Sequence, residues 1–253
     1  HAVTAAAGLA FAGMHPVVAV YATFINRAFD QLLMDVALHK AGVTFMLDRA
    51  GITGDDGPSH NGMWDMALLR HVPGLQMAAP RDEQTLREAF RTAIDVDDAP
   101  TVVRYPKGAV GEPMPAVRSI ADIDILAEHG DSPQVVVFGI GSMASTAMDV
   151  AGKLAAGGTT VTAATATWVH PVPEGLLEAL GAAELVVTVE DGLTAAGVGE
   201  EWAEFARLAG HEVHWSHHGV PREFIEHASR AQVLEQVGLE ASAIADAVLA
   251  RLS

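Results

Sequence analysis

The chain has 253 residues, of which 50% are hydrophobic and 19% are charged, so it can bury a sizeable core and is not a disordered chain. It has no cysteine, which excludes a disulfide framework, a thiolate zinc site and a cysteine nucleophile. A net charge of −17 argues against nucleic acid and anionic membranes as partners.

That charge is unevenly distributed along the chain. Residues 1–117 hold 9 Lys/Arg against 13 Asp/Glu, whereas residues 118–253 hold 6 against 19. If an anionic ligand binds, we therefore expect it in the first half. Residues 1–26 lack Asp, Glu, Lys and Arg, but Pro16 divides them into a small-residue part and a β-branched part. This pattern predicts a helix followed by a buried strand, with no membrane span and no signal peptide.

In the first half, predicted strands alternate with predicted helices. We expect strands at 16–23, 43–48, 75–80 and 100–106, and helices at 2–14, 25–42 and 81–94. Gly42 suits the position just after a helix. Residues 49–62 contain four glycines and no periodicity, so they predict a long loop.

The second half repeats this alternation after a predicted linker at 107–122. Strands are expected at 134–141, 159–169, 184–192 and 211–216, with helices at 142–158, 174–180, 196–209 and 240–252. Ser142 is the expected N-cap of the first of these helices. Alternating strands and helices predict an α/β protein with two doubly wound domains of mainly parallel sheet, residues 1–117 and 118–253.

Polar and aromatic side chains follow three predicted strands of the first half. Because ligands of open α/β sheets bind beyond the carboxyl ends of strands, these positions predict a site. An aromatic ring there can stack on a ligand ring, arginine and lysine can hold a phosphate, and a loop histidine can carry a proton. Spacing alone leaves open a core aromatic, solvated charges and an exposed histidine. The residues are Tyr21, Phe24, Arg27, Asp48, Arg49, Asp56, His60, Arg104 and Lys107.

Two further patterns are interpreted as structural. The segment at 187–192, "VTVEDG", is typical of a turn after a strand. The histidines at 211–218 do not indicate a metal site, because a strand would place His211 and His214 on opposite faces and no cysteine accompanies them. No glycine-rich dinucleotide fingerprint or phosphate-binding P-loop is present.

The segment "HAVTAAAGLAFAGMHPVVAVYATFINRAFDQ" resembles the 1-deoxy-D-xylulose-5-phosphate synthase family of thiamine-diphosphate enzymes. The resemblance continues through "DRAGITGDDGPSHNGMWDM", "AAPRDE", "VVRYPKG", "WVHPVPE", "VTVEDG" and "GVPREFIEHASR". It implies a transketolase-like pyrimidine-binding domain followed by a transketolase C-terminal domain. The implied reaction condenses pyruvate with glyceraldehyde 3-phosphate and releases CO2, which begins isoprenoid synthesis by the methylerythritol phosphate route and feeds thiamine and pyridoxal synthesis.

The resemblance also implies roles for individual residues. Phe24 would stack on the aminopyrimidine of thiamine diphosphate, with Tyr21 and Arg27 beside cofactor and substrate. Arg49 and Lys107 would bind the phosphate of glyceraldehyde 3-phosphate, although the family often has arginine at the second position. Asp56 and His60 would contact hydroxyl groups, with His60 as a proton relay.

Other family features are absent from this sequence. No match to the motif that binds the diphosphate and Mg2+ is present, and of the family's "EQHA" motif, whose glutamate pairs with the pyrimidine, only the last two letters occur. The resemblance therefore implies a requirement for an N-terminal segment, inactivity of this chain alone, a cytoplasmic homodimer and no metal ligands among these residues. Two alternatives stay open: a β-type subunit of a related 2-oxoacid dehydrogenase or transketolase, and a catalytically silent assembly partner.

Overall fold

The computed structural model describes residues 1–252, which form eleven strands in two sheets. The strands are β1 (Val17–Tyr21), β2 (Val43–Asp48), β3 (Gln76–Ala78), β4 (Pro100–Arg104), β5 (Arg118–Ile120), β6 (Ile123–His129), β7 (Val135–Gly139), β8 (Val161–Ala166), β9 (Trp168–His170), β10 (Leu185–Leu193) and β11 (His214–Val220). Four of them, β4, β7, β8 and β10, are buried at every position, as expected for strands covered on both faces.

Both sheets are mostly parallel, which confirms the predicted α/β class. The first has the order β1-β2-β4-β3-β9, with only β9 antiparallel to its neighbour. The second has the order β11-β10-β7-β8-β6-β5, where β6 and β5 add an antiparallel edge. Strand β9 comes from the second half of the chain but completes the sheet of the first half.

Ten α-helical segments connect and cover the strands within residues 1–252. They are α1 (Ala2–Phe11), α2 (Ala22–Ile25), α3 (Phe29–Gln31), α4 (Asp65–Leu69), α5 (Glu83–Ile94), α6 (Ala144–Ala156), α7 (Leu176–Leu180), α8 (Val198–Leu208), α9 (Arg230–Gln236) and α10 (Ala241–Leu252). None of the helices in this range is long and apolar enough to cross a lipid bilayer.

The helix predicted at 25–42 is wrong in its bounds and regularity. Helical structure starts at Ala22 and passes through a 3-10 turn at Asn26–Ala28 and a π-helical stretch at Leu32–Ala37. Lys40, with φ 51°, takes the left-handed position expected for Gly42. Glycine is needed at 42 for another reason, because a Cβ there would overlap the backbone of Asp97.

Three predictions in the second half are also wrong. The strand at 159–169 is two strands, β8 and β9, which belong to different sheets. Ser142 is not an N-cap, because a 3-10 turn at Gly141–Met143 precedes α6 and Met143 holds the cap position. The predicted elements also omitted β5, β6 and α9, whose short or mixed sequences show no clear period.

The two halves share a hydrophobic core. One continuous cluster contains Phe45 and Leu69 from the first half together with Phe138 and Trp202 from the second. The rings of Phe138 and Trp202 pack edge to face with centroids 5.3 Å apart, and the indole N–H of Trp202 donates to the carbonyl of Val169 in β9. This packing brings the end of β10 against the carboxyl edge of the first sheet.

Candidate active site

The candidate site lies where three neighbouring parallel strands end. Tyr21 is the last residue of β1 and is aligned with Asp48, the last residue of β2. Arg104 ends β4, the next strand in the sheet, and is aligned with Leu47. The strand-end rule therefore places the segments after β1, β2 and β4 side by side.

Aromatic rings form one wall of the site. The rings of Tyr21 and Phe24 lie 5.5 Å apart with 20° between their planes, and the Arg49 guanidinium lies 4.3 Å from the centroid of the Tyr21 ring. The His60 ring meets Phe24 edge-on at 5.8 Å. Phe24 is 47% exposed, so it is not the core aromatic that spacing alone left open, and its ring is accessible to a ligand.

Two cations and two carboxylates lie beside this wall, which Arg49 contacts through Tyr21. Asp56 accepts from Arg49 Nη1 at 2.7 Å through one oxygen and from Lys107 Nζ at 2.9 Å through the other. Lys107 Nζ also donates to Asp55 at 2.8 Å. The hydrogen bond from Lys107 lowers the pKa of both aspartates below the usual range, and these bonds raise the pKa of Lys107.

The glycine-rich loop positions His60 through local hydrogen bonds. The Ser59 hydroxyl lies 2.9 Å from His60 Nδ1, and Thr23 next to Phe24 donates to the Ser59 carbonyl. Asn61 Oδ1 accepts from both the backbone and the hydroxyl of Thr53, which closes the loop. The imidazole is therefore engaged at Nδ1, and Nε2 is the nitrogen available for proton transfer to a ligand.

Not all predicted residues join this group. Arg27 is exposed on the 3-10 turn after Phe24, and no described contact joins it to the cluster. Arg104 is only 3% exposed. Its Nε donates to Asp65 at 2.8 Å, and its Nη atoms donate to Asp191 at 3.1 Å. Grouping Arg104 with Arg49 and Lys107 as a phosphate ligand was therefore wrong, since its donors are already used inside the protein.

Asp191 is the buried centre that joins the loop to the second half. One oxygen accepts from Arg104, and the other accepts from the Ser142 hydroxyl at 2.9 Å and from Arg230 Nη2 at 3.3 Å. Burial raises the pKa of Asp191, but Arg104, Arg230 and Ser142 outweigh it, so the net pKa lies below the usual value. Arg230 Nη1 also donates to the carbonyl of Ile52 at 2.6 Å, which fixes the loop backbone.

Glu190, beside Asp191, has a separate role. Its carboxylate accepts from the backbone N–H groups of Val198 and Gly199, both at 3.1 Å, at the start of α8. Burial raises its pKa to about 7, against the opposing effect of these two hydrogen bonds. The interpretation of 187–192 as a strand-end turn is wrong, since the segment lies within β10 and is entirely buried.

Four contributors to this region were not predicted from the sequence. They are Asp55, Ser142, Asp191 and Arg230. Applying the strand-end rule to β10 would have suggested Asp191, because acids near the end of a buried strand require partners. No signal identified Arg230, which is 178 residues away from Ile52 in sequence.

The histidine-rich segment adds no chemistry to the site. Strand β11 begins at His214, so His211 lies before it rather than within it. Burial lowers the pKa of His217 and of His218. Across residues 1–252, no group of three or more His, Cys, Asp or Glu side chains has an arrangement that could hold a metal ion.

The arrangement presents an exposed ring at Phe24, two cations at Arg49 and Lys107 that aspartates hold, and an imidazole at His60. Such a ring can stack on a planar ligand, cations can bind an anion that displaces a carboxylate, and an imidazole can move a proton.

Two family models match most of the chain. Residues 1–113 match the pyrimidine-binding domain of transketolase, and residues 126–244 match the transketolase C-terminal domain.

Curated relatives match along almost the whole chain. One is 1-deoxy-D-xylulose-5-phosphate synthase 1 of Kitasatospora griseola, 54% identical over 97% of this chain and 38% of its own length. Another is 1-deoxy-D-xylulose-5-phosphate synthase of Kocuria rhizophila, 53% identical over 99% of this chain and 39% of its own length. The chain thus spans less than two fifths of the length of these relatives.

Solved structures share the fold. A split-gene transketolase, described as an inactive β4 tetramer, superposes with a TM-score of 0.81 at 25% identity, over 97% of this chain and 78% of its own. A transketolase mutant from Pichia stipitis superposes with a TM-score of 0.76 at 17% identity, over 92% and 33% respectively. The second likeness concerns the fold alone.

Proposed function

We propose a function on the premise that this chain belongs to the 1-deoxy-D-xylulose-5-phosphate synthase family of transketolase-like proteins and corresponds to the C-terminal part of those enzymes. Membership implies a thiamine-diphosphate-dependent transferase family. The proposal is that the chain, together with an N-terminal part, condenses pyruvate with glyceraldehyde 3-phosphate with loss of CO2.

One observation carries this proposal. Phe24 and His60 form a single connected group with Arg49, Asp56 and Lys107, joined through the ring of Tyr21, although these residues come from segments after three different strands. A stacking ring next to two cations suits a cofactor ring beside a phosphorylated aldehyde.

We assign the residue roles accordingly. Phe24 stacks on the aminopyrimidine, and Tyr21 and Arg27 lie beside the cofactor. Thiamine diphosphate, when bound, supplies the ylid and stabilises the carbanion. Arg49 and Lys107 hold the substrate phosphate, Asp56 fixes both cations and contacts a hydroxyl group, and His60 moves a proton at Nε2.

The remaining assignments concern what lies outside this chain. We assign the diphosphate, Mg2+ and the carboxylate that activates the pyrimidine to the N-terminal part. The two matched regions, with a division near residue 117, are proposed as pyrimidine-binding and C-terminal domains of a cytoplasmic homodimer. Neither nucleic acid nor membrane is proposed as a partner, and the chain alone is proposed to be inactive.

The test combines this chain with its N-terminal part, thiamine diphosphate and Mg2+. Pyruvate and glyceraldehyde 3-phosphate should yield deoxyxylulose phosphate and CO2, and no product under these conditions would contradict the proposal. Acyl transfer to lipoamide, or ketol transfer between sugar phosphates, would instead support the β-subunit or transketolase alternative.

Replacing Phe24 separates an enzyme from a silent assembly partner. Phe24→Ala should weaken thiamine diphosphate binding roughly tenfold, because aromatic stacking contributes about 0.5–1.5 kcal/mol beyond the area it covers. Phe205→Ala is the matched control, since Phe205 is 41% exposed on α8 and lies outside the cluster. Equal cofactor affinity and equal activity in both variants would favour the silent partner.

A further inference from the structure

We propose that Asp55 sets the affinity of the site for phosphorylated substrates, because its carboxylate competes with the substrate phosphate for Lys107. This inference rests on the proposed function, in which Arg49 and Lys107 bind the phosphate of the acceptor aldehyde. In the absence of substrate, the Asp55 carboxylate binds Lys107 at part of the position that the phosphate would occupy.

The cations of the cluster are compensated without a ligand. Arg49 and Lys107 are held by Asp55 and Asp56 through contacts of 2.7–2.9 Å, and Asp48 lies 3.9 Å from Arg49 Nε. Two positive and three negative groups give a formal charge of −1. A phosphate dianion gains little from a cluster without net positive charge, so one carboxylate must withdraw before both cations can bind the ligand.

The two aspartates differ in how firmly they are held. The Asp56 side chain is 21% exposed and binds both cations, one through each oxygen. The Asp55 side chain is 78% exposed and binds Lys107 alone. An exposed ion pair with a single partner contributes little free energy and exchanges easily with water. Asp55 is therefore the carboxylate that the phosphate displaces.

The loop backbone stays in place while Asp55 yields. Gly54 has φ 81° and packs so closely on the backbone of Ala228 and Arg230 that a Cβ would overlap it. Arg230 holds the Ile52 carbonyl on the same loop. Displacement of Asp55 is therefore a rotation of its side chain, which frees one N–H donor of Lys107 while the bond from Lys107 to Asp56 remains.

This arrangement makes the effect specific to phosphate. A phosphate monoester competes with Asp55 for Lys107, whereas an aldehyde without phosphate does not. Pyruvate is a separate substrate that does not require Lys107 in the proposed site. Asp55 therefore weakens binding of the phosphorylated aldehyde without altering the remaining steps.

The test uses the complete enzyme, with its N-terminal part, and compares wild type with Asp55→Asn. The KM for glyceraldehyde 3-phosphate and the inhibition constant of inorganic phosphate should both fall, about two- to fivefold, since an exposed ion pair is being removed. The KM values for pyruvate and for unphosphorylated glyceraldehyde should not change. Asp131→Asn, which alters an exposed acid in the turn after β6, controls for the loss of one negative charge.

A second variant shows whether the effect acts through Lys107. In a Lys107→Met background, adding Asp55→Asn should leave both constants unchanged, because the two side chains are coupled only through their ion pair. The inference would be overturned if Asp55→Asn lowered both constants equally in the Lys107→Met background, or if Asp131→Asn lowered them as much. An unchanged or higher KM for glyceraldehyde 3-phosphate in Asp55→Asn would also overturn it.

Failure of the proposed function gives a different result. If the wild-type complex forms no deoxyxylulose phosphate, binding of inorganic phosphate measured by calorimetry replaces the kinetic constants. Tighter phosphate binding by Asp55→Asn than by wild type would then support the competition with Lys107, and equal or weaker binding would overturn it.

Discussion

Replacing Arg104 with methionine tests whether the buried charges at the ends of β4 and β10 depend on one another. Arg104, Asp65 and Asp191 are 3%, 0% and 1% exposed, so water cannot compensate for a missing partner. Arg104 donates to both carboxylates, at 2.8 Å to Asp65 and 3.1 Å to Asp191. Its removal leaves an excess negative charge in the interior, which lowers the free energy of unfolding by about 3–5 kcal/mol.

The assay is urea-induced unfolding followed by tryptophan fluorescence, since Trp202 is fully buried in the shared core. The matched control is Arg87→Met, because Arg87 pairs with Glu83 on the exposed face of α5 and should lose only about 0.3–0.5 kcal/mol. Similar losses in the two variants, or a loss below about 1 kcal/mol for Arg104→Met, would refute the reasoning.

The pH dependence of the Arg104→Met effect has a definite sign. In the wild type the pKa of Asp191 is held below its usual value, so its stabilising contribution disappears as the pH falls. In the variant, Asp65 loses Arg104, which opposes the rise that burial causes in its pKa, so Asp65 takes up a proton more readily and its destabilising effect disappears as the pH falls. The difference in unfolding free energy between wild type and Arg104→Met should therefore become smaller as the pH falls from about 7 to about 4.

Two further substitutions test the neighbouring contacts. In thermal unfolding, Gly51→Ala should lower the free energy of unfolding by at least about 2 kcal/mol more than Gly74→Ala. Both glycines have positive φ, but only a Cβ at position 51 would overlap the Asp191 carboxylate. Equal losses in the two variants would contradict this packing. Glu190 has a folded pKa raised to about 7, so its contribution to stability is full below about pH 4.5 and is lost as the pH rises to 7. Glu190→Gln should reduce the fall in unfolding free energy between about pH 5 and pH 8 by up to about 3 kcal/mol, and an unchanged pH profile would exclude Glu190 as its source.

Strands of the first sheet could be predicted from sequence because burial on both faces leaves a local signal. The segment at 43–48 was predicted with the observed bounds of β2, since a short apolar run between a glycine and a charged loop is typical of a buried strand. The strand-end rule then identified Tyr21, Phe24, Arg49, Asp56, His60 and Lys107, which the structure brings together.

Features that depend on distant contacts could not be predicted in the same way. The residues of β9 look like a continuation of β8, and only the pairing of β9 with β3 shows that this segment joins the other sheet. Arg104 resembles a ligand cation in sequence, because its partners Asp65 and Asp191 lie 39 and 87 residues away. Whether a strand-end cation serves a ligand or the interior depends on such partners.

The second half of the chain therefore contributes directly to the candidate site, because its residues hold the loop that carries Asp56 and His60. Ile52 and Gly51 begin the loop that carries Asp56 and His60, and both are held by residues from beyond residue 117: Arg230 binds the Ile52 carbonyl, and Asp191 fills the space beside Gly51. If only the first half were present, Arg104 would keep Asp65 but lose Asp191. The acidic half contributes fixed, internally paired charges that position the loop, and this leaves Arg49 and Lys107 in the less acidic half to meet an anion.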